Sequence, residues 1–311
     1  MQSPVFRDES PSRDALRFLL LLTASVALTG CHPGNEKAKR LRHACEAGDA
    51  AACNALAIRL QKGEYVLRDD TRAAALFDRA CESGIGDGCA SLAVAYQSGR
   101  GVKRDSIRAF NLLARGCERG AMEGCARLGI LYRQGAGVTP DVARSAGLFR
   151  QACDGGNLSG CANLGMLYAA GEGVATDVAR AVDLFRRSCD AKIALGCLGL
   201  GRLHASGTGI PRSDSTAAAL FEQSCHGGES DGCLRQAMAV EAGLGVTQNF
   251  SHAAELYREA CRDRNGEACA RLAALYDRGA GVHRLPEEAQ AYRRRACTYG
   301  HTESCIAPRG S

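Results

Sequence analysis

The residues with the most chemistry to offer are 17 cysteines in a chain of 311 residues. A thiol can act as a nucleophile, ligate a metal, form half of a disulfide or carry an acyl chain, and spacing separates these uses. Sixteen of them fall into eight pairs of one form, C-x7-C: Cys45/Cys53, Cys81/Cys89, Cys117/Cys125, Cys153/Cys161, Cys189/Cys197, Cys225/Cys233, Cys261/Cys269 and Cys297/Cys305. The first members recur every 36 residues with no insertion. Cys31 is left over, so any account must explain sixteen and one.

A fixed period of this length marks a repeat array in which each unit buries its apolar face against its neighbours. The columns around the cysteines say what a unit is. Three positions after each second cysteine come Leu56, Leu92, Leu128, Leu164, Leu200, Gln236 and Leu272, and four further on Leu60, Tyr96, Tyr132, Tyr168, His204, Val240 and Tyr276. Spacing of four puts both columns on one face of a helix. An unbroken column of Gly63, Gly99, Gly135, Gly171, Gly207, Gly243 and Gly279 then ends that helix, because Gly readily takes the left-handed C-terminal conformation. A second helix is expected behind Asp69, Asp105, Asp141, Asp177, Ser213 and Asn249, all residues whose side chains can accept from exposed first-turn amides. In the last unit Leu285-Pro286 takes this place, and Pro suits the first helical position.

These elements fix what the paired cysteines can do. Residues eight apart in one helix lie about 12 Å apart, whereas a disulfide needs Cα atoms within about 7 Å. The chain must therefore reverse between them, and Gly48, Gly84, Gly120, Gly156, Gly228 and Gly300, three residues after the first cysteine, permit it. Lys192 and Arg264 stand in two of these places, so those two turns are expected to differ in detail. Each pair reads as a staple across a helix–turn–helix corner. Structural zinc generally takes four converging ligands at closer spacing, and here each corner offers two. The seven His (His32, His43, His204, His226, His252, His283, His301) recur at no common position. No metal ligand and no cofactor is assigned. Each staple closes a short loop, for which chain entropy gives roughly 2–3 kcal/mol.

The remaining cysteine follows an apolar run of eleven residues, 18–28 (FLLLLTASVAL). That is short of the roughly 20 apolar residues a spanning helix needs and suits the core of a secretory signal. Leu28-Thr29-Gly30-Cys31 resembles the bacterial lipobox, whose cysteine is diacylated and becomes the new N-terminus. The resemblance implies that residues 1–30 are a removed lipoprotein signal peptide and that Cys31 is the lipidation site. His32 is not the Asp that retains such proteins in the inner membrane, which favours the outer membrane. Residues 31–40 then read as a short polar tether. The region before the run holds Asp8, Glu9 and Asp14 beside Arg7, Arg13 and Arg17, so it is not clearly basic.

The pattern A-x-L-G-x-L-Y-x-x-G-x-G-V-x-x-D-x-x-x-A-x-x-L-F-x-x-A-C, plainest at residues 126–153 and 162–189, resembles the Sel1-like repeat, a relative of the tetratricopeptide repeat. With C-x7-C in each unit the chain is similar to the Helicobacter cysteine-rich protein subgroup, named after weak β-lactamase activity. The resemblance implies an all-α fold, a right-handed solenoid of αα-hairpins with a concave face for peptides or proteins. Residues 41–308 form about seven repeats with a terminal cap, and residues 309–311 a tail. The chain departs from the pattern at Gln236 and Val240, at His204, and at Gly63-Glu64-Tyr65, where local packing is expected to suffer.

Catalysis finds no support in the residues. A serine β-lactamase needs S-x-x-K, which does not occur, and H-E-x-x-H and a Walker A loop are absent as well. No catalytic residue is assigned. A net charge of +5 is too mild to argue for nucleic acid. The expectation is a monomeric, secreted, lipid-anchored interaction scaffold that meets a periplasmic or envelope protein or peptide, touching the membrane through its lipid only. Penicillin binding or weak β-lactamase activity is the alternative by resemblance, and a surface-exposed host-interaction protein the second alternative.

Overall fold

The computed structural model describes residues 33–305. Cys31, the signal segment 1–30 and the tail 309–311 lie outside the described residues. Among those described there are fifteen α-helices, one short 3-10 turn and no strand. The first helix, α1 (Pro33–Glu46), is followed by seven hairpins. These are α2 (Ala50–Lys62) with α3 (Asp70–Glu82), α4 (Gly86–Ser98) with α5 (Ser106–Glu118), α6 (Met122–Gln134) with α7 (Val142–Asp154), and α8 (Leu158–Ala170) with α9 (Val178–Asp190). Then come α10 (Ala194–Ser206) with α11 (Asp214–His226), α12 (Ser230–Ala242) with α13 (Phe250–Arg262), and α14 (Gly266–Arg278) with α15 (Pro286–Thr298). The 3-10 turn Thr302–Cys305 ends the described chain. By contact the chain divides into two units, residues 1–121 and 122–311.

Residues 33–40, expected as a polar tether, are helical here and belong to α1, with Ala38 only 1 % exposed. Ala38 sits three and seven positions before Leu41 and Cys45, both packed inward, so one apolar stripe carries the helix past the polar residues.

The caps follow the residues. Asp69 and Asp105 in the first unit, and Asp141, Asp177, Ser213 and Asn249 in the second, accept from the backbone N–H three residues on, at 2.8 to 3.3 Å. Pro286 opens α15. Each first helix ends in the glycine column, as Gly99 (φ 72°) and Gly171 (φ 69°) do. A second glycine follows two residues later for a reason of packing. A Cβ on Gly101 would lie 2.0 Å from the Asp70 carbonyl oxygen, and one on Gly245 2.2 Å from the Asp214 carbonyl carbon. The loop thus presses on the start of the previous hairpin's second helix. Before the first hairpin α1 takes the place of that helix, and there the glycine is on the helix side: Tyr65 (φ 60°) lies over Gly34 of α1.

Within the second unit the core is a ladder of aromatic rings seated on small residues. Phe149 and Phe185 are 0 % and 1 % exposed. A Cβ on Gly129 would meet Phe149 Cε1 at 2.7 Å, and one on Gly165 would meet Phe185 Cε1 at 2.9 Å. Glycine therefore sets how closely the two helices of a hairpin approach. In the first unit Phe77 and Leu113 hold the same buried position.

Candidate functional site

The paired cysteines sit where a second helix meets the next first helix. Cys45–Cys53, Cys81–Cys89, Cys153–Cys161, Cys189–Cys197, Cys225–Cys233, Cys261–Cys269 and Cys297–Cys305 are bonded with Cα atoms 4.4 to 4.8 Å apart. Cys117 and Cys125 are disulfide-bonded as well. A corner is ordinarily a surface feature, yet these staples are core residues. Cys89, Cys161, Cys197 and Cys269 are buried, as are their partners Cys81, Cys153, Cys189 and Cys261. The physical reason lies in the helix period. Each second cysteine stands three residues before the buried leucine of its helix, Leu92, Leu164, Leu200 or Leu272, and so shares its inward face. Only the last pair opens outward, with Cys297 half-buried and Cys305 exposed.

The corner is closed by two backbone bonds, for instance Gly84 N–H to Cys81 O at 3.0 Å and Ile85 N–H to Ala80 O at 2.9 Å. Lys192 and Arg264 do not alter this turn, contrary to expectation. Their φ values of 62° and 66° lie in the left-handed region used by the glycines, and their amides bond Cys189 O and Cys261 O at 2.8 and 3.1 Å. The disulfide and both backbone bonds over-determine the conformation, so a side chain is carried there at a local cost. Cys225 and Cys233 approach the exposed Glu259, but sulfurs bonded to each other offer no thiolate to a metal. Oxidised and mostly buried, the paired cysteines are structural.

The feature shaped to hold something else lies in the second unit, across α10, α11, α12, α13 and α14. It is a groove of about 760 Å³, a volume in the range of ligand sites. Phe221, Met238, Leu244 and Phe250 supply apolar surface, and five arginines, Arg202, Arg212, Arg235, Arg271 and Arg278, line it with only two acids, Asp214 and Glu241. Both acids are already engaged. Asp214 accepts from Arg212 Nε at 3.0 Å and Nη2 at 3.2 Å. Glu241 accepts from Arg278 Nη2 at 2.9 Å and from the Tyr257 hydroxyl at 2.6 Å. Burial first, and the Glu241 carboxylate second, push the Tyr257 phenol well above its ordinary range, so it stays a donor and fixes Glu241. Arg271 pairs outward with Glu267 at 2.9 Å. Arg202 and Arg235 form no ion pair or side-chain hydrogen bond among the described residues.

Compared column by column, three lining residues differ from their counterparts in the other repeats. Arg202 occupies a place held elsewhere by Ile58, Val94, Ile130, Met166, Met238 and Ala274. Leu244, 48 % exposed, stands between the two loop glycines where other repeats have Glu64, Arg100, Ala136, Glu172, Thr208 and Ala280. Phe250 opens α13 where other second helices begin with Asp70, Ser106, Val142, Val178, Asp214 or Pro286. Sequence reasoning missed these three; a signal was present only at Arg202, a cation in an otherwise apolar column, since the other two columns vary from repeat to repeat.

The departures at Gln236 and Val240 leave α12 intact over Ser230–Ala242 and change its surroundings instead. In the second unit, Tyr132 and Tyr168 lie under the guanidinium groups of Arg144 and Arg180, at 4.6 and 5.6 Å. Hydrogen bonds from Arg150 and Arg180 hold the Tyr168 hydroxyl below its ordinary pKa range. Val240 and His252 replace that ring and cation, and a second cavity of about 230 Å³ lies beside them, also lined by Gln236 and Glu222. Gln236 is 7 % exposed and its Oε1 finds no partner among the described residues.

The chain matches the Sel1 repeat seven times, at residues 50–85, 86–120, 123–157, 158–192, 194–229, 231–265 and 266–301. No curated protein matches it. Among solved structures it is similar to a protective antigen of uropathogenic Escherichia coli strains displaying an SLR fold, with 28% identity and a TM-score of 0.59 over 86% of this chain. It spans 57% of that antigen's chain. It is also similar to a Sel1 repeat protein from Oxalobacter formigenes, with 22% identity and a TM-score of 0.60 over 86% of this chain and 78% of the other. Helicobacter pylori cysteine rich protein B is 29% identical, with a TM-score of 0.33, over 40% of this chain and 88% of its own. The matched segments run through all seven hairpins, with the cysteine corners at their joints, and the chain belongs to the Sel1 repeat family.

Proposed function

We propose that the protein is a lipid-anchored interaction scaffold of the bacterial cell envelope, acylated at Cys31, that binds a protein or peptide partner through the face presented by its first helices. The observation that carries this reading is the groove across α10, α12 and α14, an apolar surface with cations left unpaired. Repeat proteins recognise extended chains on such continuous surfaces. The disulfides support an oxidising compartment, since reducing cytosol disfavours so many. No helix among the described residues is long and apolar enough to cross a membrane, which is compatible with attachment by two acyl chains. The outer membrane, with the chain facing the periplasm, is the placement we favour.

In-cell photo-crosslinking tests the scaffold. A photoreactive residue at Met166 or Met238 on the first-helix face should trap an envelope protein, and one at Asp183 on the exposed side of α9 should not. Equal trapping at all three positions, or none at either methionine, contradicts the reading.

A further inference from the structure

We infer that the groove of the fifth to seventh repeats is a docking site for an extended acidic segment of a partner protein, one in which carboxylates flank an apolar side chain. The inference rests on the scaffold reading above and adds the chemistry of the partner and the place where it binds.

Charge accounting carries the first half. The groove holds five arginines against two acids, and both acids are bonded to groups of the protein itself. Arg202 on α10 and Arg235 on α12 are left with no anionic partner among the described residues. Guanidinium groups at the rim of a low-dielectric surface gain most from a carboxylate that they can bind by two parallel N–H bonds. Both line the same groove as Met238. A ligand carboxylate there replaces water without displacing an existing salt bridge.

The apolar half comes from Leu244, Phe250, Phe221 and Met238. Leu244 is 48 % exposed in a loop whose counterparts are small or polar, and it lines one groove with Phe250, Phe221 and Met238, where an apolar side chain of a ligand gains by leaving water. Methionine adapts to varied apolar partners. A basic ligand would meet unpaired arginines, and a purely apolar one would bury them unpaired, which is strongly unfavourable. A volume of about 760 Å³ accommodates a few residues of extended chain. Arg202 breaks an otherwise apolar column and lines the same groove as Leu244 and Phe250.

The experiment uses the full, oxidised chain to select from a random-peptide display library, followed by fluorescence anisotropy with the selected peptides. Selected sequences should be rich in Asp and Glu around an apolar residue, and rising salt should weaken them. The double variant Arg202→Glu, Arg235→Glu should bind them about tenfold more weakly or worse, and a peptide with its acids changed to Lys should regain binding to that variant. Arg186→Glu with Arg187→Glu on the exposed side of α9, an equal change of net charge, should leave binding intact. Helical circular dichroism of both variants confirms that each is folded. Selected peptides without acidic enrichment, or insensitive to the groove reversal, overturn this inference but leave the scaffold reading standing. A library that yields no binder overturns it as well. Phosphatidylglycerol vesicles that bind through Arg202 and Arg235 when peptides do not would show a lipid site and also overturn it.

Discussion

Glu229 precedes α12 in the position where Asp49, Asn157 and Asn265 cap other first helices, and it makes no capping bond. The three caps accept from the N–H three residues on, at 3.0, 2.7 and 3.0 Å. Burial first, and the charge of Asp231 second, hold the Glu229 carboxyl above the usual carboxylate range. A raised carboxyl means that the fold disfavours its ionised form. The stability this group contributes is fully present below its unfolded value, about 4.3, and is lost as pH rises through the higher folded value. Glu229→Asn should therefore stabilise the protein at neutral pH by about 1 kcal/mol. Urea denaturation at several pH values checks this, and the advantage of the variant should grow as pH rises from acid to neutral. Residue-level chemistry was legible where a side chain acts on its own backbone, as at Asp141 or Pro286. It was not legible at Lys192 and Arg264, because the left-handed conformation there is imposed by the disulfide and the turn bonds rather than by residue type.

The helices owe their spacing to glycine under aromatic rings. A Cβ at Gly165 would lie 2.9 Å from Phe185 Cε1, and Phe185 is buried at 1 % exposure. Overpacking of this kind typically costs about 1–3 kcal/mol. Gly165→Ala should lower stability by that amount in thermal or urea unfolding, and Phe185→Leu in the same chain should recover part of it. Gly165→Ala with unchanged stability would mean that the ring does not set the approach of the two helices. Helix pairs, their ends and their apolar faces were readable from a period of four beside a glycine column. The role of Gly165 was not, since glycine inside a helix pattern looks the same whether it bends the chain or seats a ring. The second loop glycine was hidden likewise, because its crowding comes from Asp70 or Asp214 in the preceding hairpin.

At the scale of the molecule, the period of 36 residues dictates the all-helical repeat and the place of every staple. The groove was not legible in the same way, because regular columns announce a fold while the groove draws on positions that vary from repeat to repeat. Arg202, Leu244 and Phe250 belong to different segments and come to line one groove only through the stacking of α10 to α14. The central claim is that this repeat array is exported, stapled and anchored, and it rests on dividing seventeen cysteines into one lipid site and sixteen disulfide partners. Intact-mass analysis of the protein extracted from its native membrane, with iodoacetamide added before and then after reduction, tests this most directly. The account requires a chain beginning at Cys31 and carrying acyl chains, with no cysteine labelled before reduction and sixteen labelled after it. A chain that retains residues 1–30, carries no lipid, or is labelled before reduction would contradict it.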